Sequence, residues 1–137
     1  MNNIRDLMQT RVVTVAPWDP LDRARELMAL HGIRHLPVVA HGSVVGVVSQ
    51  RDVWASRREE GRDEEARWTD DVTVERIMNR PVATLDPDAV IGRAHVLLRR
   101  RAVGCIPVVE NGELVGIVTR TDLRSYSERP FEQGRGP

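Results

Sequence analysis

Gly46-Val47-Val48-Ser49-Gln50-Arg51-Asp52 and Gly116-Ile117-Val118-Thr119-Arg120-Thr121-Asp122 follow one pattern: glycine, two branched aliphatics, a hydroxyl residue, two polar positions and an aspartate. Branched aliphatic side chains are stiff at χ1 and pack well on a pleated surface, so the first half of each stretch predicts a strand. A Ser or Thr with an acid three residues later is a helix-start signature, so the second half predicts a helix N-terminus. Each stretch reads as a strand that passes the chain directly to a helix.

The likeness extends outward from both stretches. A shift of 70 residues lays positions 4–55 over 74–125 without a gap, and 15 of the 52 pairs are identical, among them Met8/Met78, Val12/Val82, Pro17/Pro87, Pro37/Pro107, Gly42/Gly112, Gly46/Gly116 and Asp52/Asp122. Prolines, glycines and aspartates in common register identify a tandem repeat. In each copy a helical turn (4–8; 74–78) leads to a strand (12–15; 82–85) that Pro17 or Pro87 ends. A helix follows. In the first copy Asp19 is its expected N-cap and Pro20 its first residue, with an apolar stripe of Leu21, Ala24, Leu27 and Met28 before Gly32. In the second, Asp88 is the expected cap and the stripe is Val90, Ile91, Ala94, Leu97 and Leu98. Two strands then flank His41-Gly42 (36–39, 44–49) or Asn111-Gly112 (106–109, 114–119), dipeptides suited to a type I′ hairpin turn. A second helix starts after Ser49 and after Thr119.

The fold class expected is therefore α+β: two tandem strand-helix-strand-strand-helix repeats. A unit of about 50 residues buries little surface alone, so the two are expected to pack face to face with pseudo-twofold symmetry. The boundaries read as a first repeat over 1–58, a charged linker over 59–73, a second repeat over 74–128 and a flexible tail over 129–137. The linker's mixed Arg and Glu suit a solvated helix extension or a mobile connector.

Composition narrows the function. Among 137 residues, 20 basic and 20 acidic side chains balance, and every basic residue is arginine. With no lysine there is no P-loop lysine and no Schiff base. A neutral chain with five aromatic residues against 20 valines is poorly suited to neutralising phosphates or stacking bases, so no nucleic acid partner is expected. The single cysteine, Cys105, excludes an internal disulfide and a multi-cysteine zinc site. Nothing apolar is long enough to span a membrane and the N-terminus lacks a signal peptide's apolar core, so the expected address is cytoplasmic, without membrane contact.

Pro37-Val38-Val39 and Pro107-Val108-Val109, each followed by a turn glycine and then by the Gly-to-Asp stretch, resemble the cystathionine-beta-synthase (CBS) domain. Together the copies resemble a stand-alone Bateman module, over nearly the whole chain apart from linker and tail. The resemblance implies a regulatory, non-catalytic homodimer that needs no cofactor. It implies an adenine nucleotide (AMP, ADP or ATP), S-adenosylmethionine or NAD bound in two clefts between the paired repeats, with the signal passed to an effector protein. Carried onto this chain, one cleft would combine Ile117, Thr119 and Asp122 with Val12, Val13, Ile33, Arg34 and Leu36. The other would combine Val47, Ser49 and Asp52 with Val82, Ala83, Val103, Gly104 and Ile106. Arg34, His35, Arg51 and Arg120 are the cations expected near phosphates. Where many relatives carry Met-Thr after the first helical turn, this chain has Met8-Gln9 and Met78-Asn79.

The chemistry stands beside the resemblance. A carboxylate accepts two charge-assisted hydrogen bonds from the vicinal diol of a ribose, and a helix's first turn favours its charge. The same Ser-x-x-Asp and Thr-x-x-Asp spacing equally fits a capping box, in which the acids only close helix ends. A constitutive dimerisation or docking module with empty clefts is therefore the second reading. Other constellations carry less. Gly32 interrupts His31 and His35 and no third ligand completes a metal set. His95 reads as a helix surface residue. Cys105 reads as a small buried residue. Arg99-Arg100-Arg101 complements a helix C-terminus. No Gly-x-Gly-x-x-Gly and no activated nucleophile is present, so no enzyme is expected.

Overall fold

The computed structural model describes residues 2–59, 72–80, 82–100 and 104–127. The linker reading over 60–71, the tail and the proposed site residue Val103 lie outside the described residues.

In chain order the elements are a 3-10 turn at Ile4–Asp6, helix α1 (Leu21–His31), strands β1 (His35–Ala40) and β2 (Ser43–Ser49), and helices α2 (Gln50–Glu59) and α3 (Val74–Ile77). Helix α4 (Ile91–Arg100), strands β3 (Cys105–Glu110) and β4 (Glu113–Thr119), and helix α5 (Arg120–Ser127) complete the order. β1 pairs antiparallel with β2, and β3 with β4, each register slipping by one residue after Val38 or Val108. The turns take the form their sequence predicts: His41 and Asn111 hold φ of 52° and 53°, and Gly42 and Gly112 hold 83° and 82°. Positive φ at both central residues matches the right-handed twist of the flanking strands.

The first expected strand of each copy is shorter than predicted. Val15 forms a single parallel bridge to Val38, its N–H donating to Pro37 O (3.2 Å) and its carbonyl accepting from Val39 N–H (2.8 Å); Leu85 does the same with Pro107 and Val109 (3.0 and 2.8 Å). Prolines explain the stop on both sides. Extending the ladder one way would need an N–H from Pro37 or Pro107, and the other way one from Pro17 or Pro87, and proline has none.

The helix starts also differ from expectation. Asp19 and Asp88 are not N-caps: Asp19 Oδ2 accepts from Ala16 N–H (2.8 Å), tightening the loop, while Asp88 pairs with Arg5. Helix α1 begins one residue late, with Pro20 in the extended cap position. The first helical N–H groups are satisfied by carbonyls from distant segments, Leu21 N–H by Val72 O (2.8 Å) and Ile91 N–H by Asn2 O (3.3 Å). Val90 is 66% exposed and does not belong to the α4 stripe, because it precedes the first helical turn.

The chain divides into two compact units, Val12–Val82 and Met1–Arg11 with Ala83–Pro137. Each has its own core. In the first, Val15, Leu21, Ala24, Leu36, Val38 and Val48 pack with Val72, Val74 and Met78. In the second, Leu85, Ile91, Ala94, Ile106, Val108 and Val118 pack with Ile4 and Leu7. The compact unit is thus not the sequence repeat: the helical turn that leads each copy is built into the unit of the other. Matching bonds hold the two turns. Val74 N–H donates to Asp19 O and Glu75 N–H to Pro17 O; Ile4 N–H donates to Ala89 O and Arg5 N–H to Pro87 O, all 2.9 Å.

Close backbone approach makes this possible. A Cβ on Gly46 would lie 2.5 Å from Met78 Sδ, and one on Gly116 would lie 2.7 Å from Met8 Sδ and 3.0 Å from Gln9 O. Gly92, by contrast, sits in α4 with open space where a methyl group would stand, nothing lying within 4 Å. Gly116→Ala and Gly46→Ala should each destabilise by about 1–3 kcal/mol through overpacking, whereas Gly92→Ala should stabilise by about 0.5 kcal/mol through lower backbone entropy in the unfolded chain. Urea unfolding of the three variants checks the contrast.

Candidate functional site

The strand-to-helix junctions that decided the fold also concentrate the polar chemistry. At the β2–α2 junction, Ser49 Oγ accepts from Asp52 N–H (3.1 Å), and Asp52 Oδ2 accepts from Ser49 N–H (3.0 Å) and from the Ser49 hydroxyl (2.7 Å). At the β4–α5 junction, Thr119 Oγ1 accepts from Asp122 N–H (3.2 Å), and Asp122 Oδ2 accepts from Thr119 N–H (2.8 Å) and the Thr119 hydroxyl (3.0 Å). Both are reciprocal capping boxes, so each aspartate closes the start of its helix. The boxes fix each carboxylate in the first turn of its helix, and both Asp52 and Asp122 are half-buried.

A further residue reaches each carboxylate. Asn79 Nδ2 donates to Asp52 Oδ2 at 2.7 Å, and Gln9 Nε2 donates to Asp122 Oδ1 at 2.8 Å. Both amides are delivered by the lead-in turns. Asn79 forms an antiparallel bridge with Val47 (N–H to O, 2.8 and 3.2 Å), and Gln9 forms the equivalent bridge with Ile117 (2.9 and 3.0 Å). Neither Gln9 nor Asn79 is among the site residues expected from sequence, although both stand out there as the residues after Met8 and Met78. The signal that finds them is the glycine one residue before Val47 and Ile117, which opens the strand to a crossing backbone.

Within the unit Val12–Val82, the structure gathers Val47, Ser49 and Asp52 at one junction, and Arg34 joins them through its carbonyl, which accepts from Gln50 N–H (2.9 Å). Arg34 and Arg51 have exposed side chains, Val12, Val13, Ile33, His35 and Val82 are half-buried, and Leu36 is fully buried in the core. Within the other unit, Ile117, Thr119, Asp122 and Arg120 share the second junction. Arg120 Nη2 donates to Leu98 O (2.9 Å), so this cation closes the end of α4. Ala83 and Gly104 are half-buried, and Ile106 is fully buried. The side chains of Leu36 and Ile106 face core neighbours and leave only backbone for any ligand.

Cys105 is 2% exposed at the start of β3, and desolvation pushes its thiol pKa up to about 12. It is therefore neutral across the physiological range and poorly nucleophilic. Among the described residues no group of three or more His, Cys, Asp or Glu converges as a metal-binding set, and no helix is long and apolar enough to cross a membrane.

A family model described as the CBS domain matches residues 4–53 and 74–129. The chain belongs to the CBS-domain family. Both matched segments end just past the Ser49/Asp52 and Thr119/Asp122 junctions, so the two CBS copies carry one capping box each. This CBS-domain chain is similar to an inosine-5′-monophosphate dehydrogenase of Korarchaeum cryptofilum, at 36% identity over 129 residues, covering 90% of the chain and 25% of that enzyme. It thus spans about a quarter of that relative's length. Among solved structures, it is similar to the CBS domain pair of protein MJ0100 in complex with 5′-methylthioadenosine and S-adenosyl-L-methionine (26% identity, TM-score 0.76, 90% of this chain and 93% of that one). It is also similar to CBSX2 in complex with AMP (26% identity, TM-score 0.77, 93% and 96%).

Two outcomes follow for the junctions. Ser49→Ala and Thr119→Val each remove a cap hydroxyl and should cost about 1 kcal/mol in denaturant unfolding. For Cys105, the folded pKa of about 12 lies above the ordinary thiol value of 9.0, so the unfolded chain loses this proton first as pH rises. The associated stability is complete below about pH 9 and is lost as pH climbs toward about 12. Cys105→Ala should flatten that alkaline slope in unfolding experiments run across pH 8–11.

Proposed function

We propose that this chain is a regulatory, non-catalytic module that binds an adenosine-containing metabolite, an adenine nucleotide or an adenosyl compound such as S-adenosylmethionine. In this reading Asp52 or Asp122 receives the ribose hydroxyls. The observation that carries it is the pair of carboxylates, each held in a helix's first turn by a hydroxyl and a backbone N–H. A carboxylate so fixed keeps its direction, and a vicinal diol is a matched double donor for it. The half-buried Val47, two residues before Ser49, offers apolar surface for a purine, and the exposed Arg34 and Arg51 offer guanidinium groups for phosphate. Two CBS-domain relatives of similar fold hold adenosyl compounds, which supports the ligand class.

Regulation then follows from linkage. A metabolite that binds one arrangement of the chain stabilises it by RT ln(1 + [L]/Kd), about 2.7 kcal/mol at a hundredfold excess over Kd. A partner protein that distinguishes the two arrangements reads that difference. We place the module in the cytoplasm as a homodimer acting on such a partner. The capping boxes favour a second reading, a constitutive docking module whose aspartates serve only their helices.

Titration calorimetry of ligand-stripped protein with AMP, ADP, ATP, S-adenosylmethionine and NAD separates the two. At least one compound should bind, and Asp52→Ala or Asp122→Ala should weaken it about 10- to 100-fold through loss of charge-assisted bonds. If none of the five produces heat or raises the melting temperature, the docking reading replaces the sensor.

A further inference from the structure

The two carboxylates are not equally available. Asn79 and Gln9 start from equivalent backbone bridges, to Val47 and Ile117, so their side chains set out from matched positions. Asparagine is one methylene shorter than glutamine. The Asn79 amide ends at Asp52 Oδ2, the oxygen that already serves the capping box, and among the described residues nothing donates to Oδ1. The Gln9 amide reaches past to Asp122 Oδ1, the oxygen the capping box leaves over. A carboxylate facing an amide fixes which end points inward: only the NH2 group can donate, so the contact is attractive in both units.

We propose that Gln9 and Asn79 are positioning residues that rank the two aspartates, with Asp52 presenting a free oxygen to a ribose diol and Asp122 masked until Gln9 is displaced. The inference rests on the functional reading above and adds a regulation to it. The Gln9 side chain is exposed and its backbone is held separately by Ile117, so the amide can swing into water without disturbing the fold. A diol arriving at Asp122 must exchange for a hydrogen bond already made to a charged group, whereas a diol arriving at Asp52 adds bonds to an open oxygen. At low concentration a metabolite should occupy the Asp52 site first and the Asp122 site only later. Two thresholds would then come from one ligand and one repeated motif.

The test exchanges the two amides. AMP and, in parallel, S-adenosylmethionine are titrated into the full chain as wild type, Gln9→Asn and Asn79→Gln, and into the same three in an Asp52→Ala background that leaves only Asp122. Gln9→Asn should raise affinity at Asp122 about tenfold, and Asn79→Gln should lower affinity at Asp52 about tenfold. Neither change should alter the response to 2′-deoxy-AMP, which lacks the diol. Side-chain amide resonances of the wild type supply a reading that needs no substitution: the Gln9 signal should shift only in the second phase of an AMP titration. If AMP or S-adenosylmethionine binds and Asp52→Ala weakens it, yet the amide exchanges move neither affinity and Gln9 does not shift, the ranking is wrong and the sensor reading stands. If none of AMP, ADP, ATP, S-adenosylmethionine and NAD binds any version, the sensor reading falls and the ranking with it.

Discussion

The absence of a side chain on Gly46 and Gly116 is the constraint from which the rest of the architecture follows. At each glycine a second backbone lies almost against the strand, with a methionine sulfur where a methyl group would stand. That approach lets Asn79 bridge to Val47 and Gln9 to Ile117. The same lead-in turn then donates its first N–H groups to the loop before a helix, and a residue just ahead of the turn accepts the first N–H of that helix. A buried helix end must find partners for its unpaired amides. Here the partner for the first of them comes from outside the helix's own copy of the repeat, so glycine, lead-in turn and helix start form one mutually dependent device.

Much of this is legible in the residues, and the failures have a common cause. The hairpins are readable because His41-Gly42 and Asn111-Gly112 encode a local backbone conformation, and the helices α2 and α5 because Ser49/Asp52 and Thr119/Asp122 encode a local cap. The first strands come out too long from sequence because residues 12–15 and 82–85 are rich in strand-forming side chains, while the prolines that deny them ladder donors sit partly on another segment, at positions 37 and 107. The caps at Asp19 and Asp88 fail for the same reason: the carbonyls of Val72 and Asn2 reach those helix starts from far along the chain, which no local pattern announces. At the candidate site, the resemblance to the CBS domain names the aspartates and hydroxyls, which spacing alone reads equally as helix caps, whereas Gln9 and Asn79 become visible only once the lead-in turns are seen lying beside β4 and β2.

The copies have kept their backbone bonds and let their surfaces diverge. Where the second copy has Asp88 and Glu110, both bonded to Arg5, the first has Trp18 and Ala40 at the matching positions, and Trp18 lies against His41 with ring centroids 5.7 Å apart and planes tilted by 51°. An exposed ionic cluster is weakened by salt, while an aromatic pair is not. The two corners therefore answer differently to their surroundings although the chain beneath them follows the same path. Equal scaffolds with unequal decoration are what a duplicated segment needs if its halves are to take distinct roles.

The exchange of lead-in turns bears on how such a protein can arise and be divided. A polypeptide bearing a single copy would lack the carbonyl that here meets its helix start and the other copy's glycine on which its lead-in here lies. Two such polypeptides could complete one another by trading these ends, and fusing them head to tail would make the trade permanent. Neither half can be excised along the boundary of its own repeat without taking part of its neighbour's foundation away.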